Sequence, residues 1–482
     1  MKCDNPGNNS YCPLAMNRRD FLLAGGASAL AENGLFDFAS SLFAAESGPA
    51  GKPLIKVVFI RPEKPIIVSW PGGNCDTNTQ QALFTKTLTD AADRLGVQLD
   101  VRHKPMDQMS EIDACIDELK KSPPDGLIIV AMCLWRWKEI DQIVNNRPGI
   151  PTIVYSNLSG FTGHLQCGRN VPKTFLAATQ DVTWLSFAVR MFHTIWRMKN
   201  TRILVVSEMQ KKEWMTDGPG LNEQTFGKAG TTFHWIPKER FQEHFKKVQQ
   251  SDEVRDIADY YAKNAQKIIE PTQTDILEAA KNYFVCRQLM AGENCQGIAI
   301  DCLGWDNPVC IAFSRLLDEG VVAACERDLN AAASMLLTHS LCERPGFMQD
   351  PSPNTINNTL IGAHCTSPIK LEGLDQAYRA PYILRNYHTR TGVSPQVLWP
   401  VGKDVTVMKF QGPDEIILGT GRVVSNIPQP PSGCCRTAVE ISLDAVEDSR
   451  DTKGFHQLFI CGNLERQFKA YCKLAGINVI HI

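Results

Sequence analysis

Val321-Val322-Ala323-Ala324-Cys325-Glu326-Arg327-Asp328 is a short apolar run that ends on an acid. Two β-branched residues and three small apolar ones make a buried strand pattern, and Asp328 stands where the helical run 331–341 needs an N-cap. A strand passing directly into a capped helix is half of a βα unit. The same texture extends outward in both directions. Gly297-Ile298-Ala299-Ile300-Asp301-Cys302 opens the preceding unit, and from Pro53 onward short apolar runs closed by Gly, Pro, Asn or Asp alternate with longer helical patterns. Strands are expected over 54–60, 97–102, 126–132, 152–155 and 203–206, helices over 79–95 and 111–121, and a charged helical stretch over 238–281. Beyond Pro368 the pattern changes to short strands with Gly and Pro turns, at 405–410, 415–421 and 438–443. The predicted fold class is α/β: two doubly wound parallel-sheet domains followed by a small β-rich C-terminal domain. The expected division is 1–50 as export signal and linker, 51–185 as N-terminal α/β domain, 186–367 as central α/β domain carrying the acids, and 368–482 as the β-rich domain.

Bulk properties agree with an enzyme-sized, multidomain chain. Its 482 residues exceed what one hydrophobic core usually serves. Hydrophobic residues at 43% and charged residues at 21% exclude a largely disordered protein. The net charge of −2 comes from 50 basic and 52 acidic residues without long runs, so no basic stripe marks a nucleic-acid or anionic-membrane partner. Seventeen cysteines are spread without paired CxxC motifs, which argues against a zinc ribbon and for buried free thiols. Met16-Asn17-Arg18-Arg19-Asp20-Phe21-Leu22-Leu23 ahead of a mildly apolar run resembles a twin-arginine export signal, so a periplasmic or otherwise exported location is expected, with the cytoplasm as the alternative. No later segment approaches the ~18 apolar residues of a membrane span.

Four residues carry candidate chemistry. Glu326 follows the strand pattern already described; Asp350 follows Phe347-Met348-Gln349; His364 ends the apolar run Leu360-Ile361-Gly362-Ala363; His456 precedes Leu458-Phe459-Ile460. Carboxylates with imidazoles form a hard-to-borderline ligand set suited to Mn²⁺, Mg²⁺, Co²⁺ or Fe²⁺. Taken singly, an acid at a strand end is as often a cap or salt-bridge partner, and a histidine on an apolar strand is more often a core residue.

Ala324-Cys325-Glu326-Arg327-Asp328-Leu329-Asn330-Ala331, the Asp350 segment, Asn358-Thr359-Leu360-Ile361-Gly362-Ala363-His364-Cys365 and Phe455-His456-Gln457-Leu458-Phe459-Ile460-Cys461-Gly462-Asn463 resemble, in order and spacing, motifs of the L-fucose/L-arabinose isomerase family. The resemblance covers 297–482 and is faint before that. It implies a metal-dependent aldose–ketose isomerase working through an enediol, with a divalent metal, Mn²⁺ first, held by Glu326, Asp350 and His456. The two carboxylates then serve as acid and base. Aspartate at 350 is similar to the fucose branch; in the arabinose branch the histidine matching His364 is also a ligand. A trimer or hexamer is implied as well, in which Trp70 reaches a neighbouring subunit's site. Sugar hydroxyls need polar partners and sugar carbons favour aromatic faces, which makes Trp70, Asn157, Trp305 and Asn307 candidate substrate contacts. Alternatives are an epimerase acting on a sugar derivative and a non-catalytic periplasmic sugar-binding protein.

Overall fold

Along the first strand, β1 (Leu54–Ile60), Ile55, Val57 and Phe59 face one core and Val58 and Ile60 another, and all five are fully buried. A strand covered on both sides has to be apolar at successive positions, which is why 54–60 reads as a continuous run. Its sheet is wholly parallel, in the order β2 (Gln98–Met106), β1, β3 (Gly126–Ala131), β4 (Thr152–Ser156), β5 (Thr174–Ala178). Phe84 and Leu88 of α1 (Thr77–Leu95) cover one face together with residues of a later helix. Ile112 and Leu119 of α2 (Met109–Lys121) and Ile140 and Ile143 of α3 (Trp137–Asn146) cover the other. The Asp76 side chain caps α1 by accepting the Thr79 N–H at 2.8 Å, and Gly96, at φ +67°, ends the helix in the left-handed conformation that glycine adopts most readily. The computed structural model describes residues 51–70, 73–133, 135–157, 167–210, 212–387, 391–430 and 435–482, with the side chains of 68–70, 73 and 75 set aside. The twin-arginine stretch and the Trp70 side chain therefore lie outside the described residues.

Helix α4 (Thr183–Asn200) leads into a second sheet of β6 (Arg202–Val206), β7 (Met215–Asp217), β8 (Glu223–Phe226), β9 (Thr232–Ile236), β10 (Gly297–Ile300) and β11 (Val322–Cys325), in the order β11-β10-β6-β9-β8-β7. The charged stretch expected as helical forms α5 (Lys238–Lys247), α6 (Asp252–Asn264) and α7 (Gln273–Gly292). Then follow α8 (Cys310–Asp318), between β10 and β11, and α9 (Leu329–Cys342). Strands β11, β10, β6 and β9 are parallel, but β8 and β7 join antiparallel. Two doubly wound parallel sheets are therefore not what forms: the second sheet is mixed, because the short connections 218–222 and 227–231 allow hairpin-like returns where a parallel strand would need a crossover.

The C-terminal β-rich region closes on itself. Strands β12 (Phe347–Asn354), β13 (Thr359–His364), β14 (Asp404–Gly412), β15 (Glu415–Asn426), β16 (Thr437–Leu443) and β17 (Gln457–Cys461) form a ring in the order β14-β17-β12-β13-β16-β15 and back to β14. After helix α10 (Glu465–Ala475), β18 (Asn478–His481) adds in parallel outside β15. Closure pairs strands that an open sheet would leave at its edges. Asp350 and His364, expected on the central α/β body, thus sit on barrel strands. The described residues cluster as one unit, and one continuous apolar core runs from the first sheet through the second into the barrel.

Gly362 is a tight point of the barrel wall: a Cβ there would lie 2.5 Å from Phe459 and 2.7 Å from Gln349, both buried. Gly362→Ala is expected to destabilise by about 1–3 kcal/mol, read as a lower denaturant midpoint at unchanged m-value. Every cysteine whose side chain is described is free, and all but Cys342 and Cys435 are buried. No described helix is long and apolar enough to cross a membrane.

Candidate metal and acid–base centre

At the carboxyl end of β11 the chain turns sharply. The Arg327 N–H donates to the Ile300 carbonyl at 3.2 Å and the Asp328 N–H to that of Cys325 at 3.1 Å, with Glu326 at φ +53° and Arg327 at +48°. Left-handed backbone costs a non-glycine residue ~1–2 kcal/mol, and such outliers cluster where function over-determines them. His456, one residue ahead of β17, is also left-handed at φ +54°. The barrel ladder supplies the rest. Strand β12 lies between β13 and β17, with Asp350 opposite Ala363 and Gln349 opposite Gln457, so His364 and His456 each stand one position beyond those partners. Four residues far apart in sequence meet where the parallel strands of the second sheet end at the barrel.

The distances describe a convergent set. His456 Nε2 lies 3.1 Å from Asp350 Oδ1 and 3.4 Å from Glu326 Oε2, and His364 Nε2 lies 3.7 Å from Glu326 Oε1. Ligand atoms of Glu326, His364 and His456 all fall within 4.8 Å of one another. The buried His456 Nε2 and Asp350 Oδ1 make no aligned hydrogen bond, although they are 3.1 Å apart. Buried polar atoms are rarely left that way, and donors aimed past each other at a shared point fit a cation better than they fit one another. Glu326, His364 and His456 form a group that could hold a metal ion, one carboxylate with two imidazoles, and Asp350 stands beside it. The imidazole side chains are 5% exposed, whereas those of Glu326 and Asp350 are 27% and 36% exposed. The histidines therefore form the floor, and the acids face whatever enters from solvent.

Beneath the floor lies Asp328. Its Oδ1 accepts the Ala331 N–H at 2.8 Å, capping α9 as its position predicts, and its Oδ2 lies 2.9 Å from His456 Nδ1 and 2.7 Å from Lys409 Nζ. Burial alone would raise the pKa of the Asp328 carboxyl. The His456 hydrogen bond, the Lys409 ammonium and the Ala331 N–H outweigh it and hold the group down at about 2. For His456, burial favours the neutral ring, but Asp328, Asp350 and Glu326 together push it up to about 10. With its folded pKa raised, the contribution of His456 to the metal-free fold is fully present below the unfolded value of about 6.5 and is lost as pH rises toward 10. A metal has to displace that proton. The rise in unfolding midpoint on adding Mn²⁺ is therefore expected to grow between pH 6.5 and 9, with affinity gaining up to about tenfold per pH unit, checked by thermal scans with and without metal.

Sequence reasoning treated Asp328 only as a cap and missed Lys409. The available signal was a lysine inside the strand pattern 405–410, where a buried cation needs a carboxylate partner. The proposed substrate contacts are not drawn into the cluster in the same way. Trp305 packs against Phe241 with ring centres 5.0 Å apart, and the Asn307 amide donates to the Glu278 carbonyl at 2.9 Å. Both line a pocket of about 300 Å³ with Phe245 and Lys246, a pocket to which none of the four ligand candidates contributes. Asn157, beyond β4, donates to Gln80 Oε1 of α1 at 3.3 Å.

No protein-family model matches the chain. Over 313 residues, covering 58% of this chain and 68% of the relative, it is 25% identical to a curated sulfoquinovose isomerase from Alkalicoccus urumqiensis. At the coarse level that such a match carries, it supports sugar isomerisation, an intramolecular oxidoreduction, as the class of activity.

Proposed function

We propose that the chain is a metal-dependent aldose–ketose isomerase whose centre is Glu326, Asp350, His364 and His456. One observation carries the reading: ligand atoms of the partly exposed Glu326 and the buried His364 and His456 lie within 4.8 Å of one another, and the carboxylate of Asp350 stands 3.1 Å from His456 Nε2. Interconverting an aldose and a ketose moves a proton between C1 and C2, and the carbon acid is weak. A bound divalent cation, Mn²⁺ by preference, would supply charge stabilisation to the sugar oxygens and to the enediolate that develops. Of the chain's own groups, one carboxylate takes the carbon-bound proton and returns it to the neighbouring carbon, while the other handles the hydroxyl proton. His456, and His364 beside it, hold position without entering the proton transfers.

The relative's name adds a substrate class to this reading, a sugar bearing a sulfonate, alongside fucose- and arabinose-like aldoses. Export through the twin-arginine-like leader and assembly into a homo-oligomer, with Trp70 serving a neighbour's site, belong to the same proposal. The test is a Mn²⁺-supplemented screen across aldoses, deoxyaldoses, ketoses and sulfonated sugars, with products identified by NMR. A ketose formed from an aldose supports isomerisation; a C2 epimer as sole product points to epimerisation instead; tight sugar binding without turnover or bound metal points to a binding protein.

A further inference from the structure

Asp328 does more than a cap requires, since its two oxygens serve different elements: Oδ1 the first turn of α9, Oδ2 the His456 ring and the Lys409 ammonium. Lys409, 6% exposed on barrel strand β14, donates a second bond to the Phe455 carbonyl, the peptide directly before the left-handed His456. One largely covered carboxylate, 16% exposed, and one buried ammonium therefore grip both the ring and the backbone of that residue. A carboxylate accepting from Nδ1 keeps that nitrogen protonated, so that Nε2, which faces Glu326 and Asp350, is the nitrogen that would give up its proton to a metal. Asp328 is also two residues from Glu326, so the same side chain ties the end of β11 to the barrel across which the ligands are shared.

We infer that Asp328, braced by Lys409, is a positioning residue for His456 that sets the tautomer and direction of its Nε2 toward a metal. The inference rests on the metal reading above, and its test separates the two. Asparagine and serine cap helices about as well as aspartate, so Asp328→Asn and Asp328→Ser preserve α9 if capping is the whole role. Neither can accept from His456 Nδ1 while also neutralising Lys409. Calorimetric titration of the full-length protein with Mn²⁺ alone, with no sugar present, is expected to show a Kd weakened about 10- to 100-fold in both variants. At saturating Mn²⁺, kcat should stay within several-fold of wild type, because Glu326 and Asp350 remain; the loss appears as a higher metal requirement. A Kd within about threefold of wild type in either folded variant overturns the assignment and leaves Asp328 a cap. Should both aspartate variants fail to fold, Lys409→Met is titrated in their place, with a weakened Kd expected and an unchanged one overturning the brace. Absence of Mn²⁺ binding by the wild type itself overturns the metal reading and this inference with it.

Discussion

Glu326→Gln is expected to lower kcat for aldose–ketose interconversion by about 10²- to 10⁴-fold at saturating Mn²⁺, the range over which a positioned general acid or base acts. The substitution keeps the shape and removes the charge and proton affinity, so raising the metal concentration should not restore turnover. Glu326 leads a turn held by main-chain hydrogen bonds from Arg327 and Asp328, and its side chain is 27% exposed, so the fold has little reason to fail. The thermal midpoint of the metal-free protein should stay within about 4 °C of wild type. Steady-state kinetics beside a thermal scan checks both parts. A variant retaining more than a tenth of wild-type kcat would remove Glu326 from the proton transfers.

His456→Ala is expected to act differently, through affinity rather than chemistry. Losing a partner that merely orients a ligand costs about 10- to 100-fold in metal affinity, so losing the ligand itself should cost more than about 100-fold. Asp328 keeps Lys409 as its partner in that variant, so no unpaired buried charge is left behind. Part of kcat should return at high Mn²⁺, which distinguishes this variant from Glu326→Gln. Equal affinity for Mn²⁺ in wild type and variant, measured calorimetrically, would show that His456 is a core histidine.

Much of the architecture was legible because it rests on local rules. The apolar run 54–60 behaves as a doubly covered strand, Asp328 caps the helix its spacing suggests, and the stretch 238–281 is helical apart from its breaks. The antiparallel edge β8–β7 was not legible. Short polar strands such as Met215–Asp217 carry no period of their own, and their direction follows from the lengths of the turns around them. Nor was barrel closure, which requires β14 to pair with both β15, its neighbour in sequence, and β17, which follows only after residues 427–456.

For the site, the sequence alone marked the candidates: Glu326 and Asp350 directly after apolar runs, His364 at the end of one and His456 ahead of one, each open to a structural reading when taken singly. Strand ends expose side chains at sheet mouths, so that much follows from period and punctuation. Only the tertiary structure decided that these four meet, since β12 pairing with both β13 and β17 is a choice among long-range partners that no local pattern encodes. It also decided that Asp328 and Lys409 lie beneath them, and that Trp305 and Asn307 line a separate pocket. The physical reason is that burial and hydrogen-bond partnership belong to pairs of residues, and pairs distant in sequence exist only once the chain has folded.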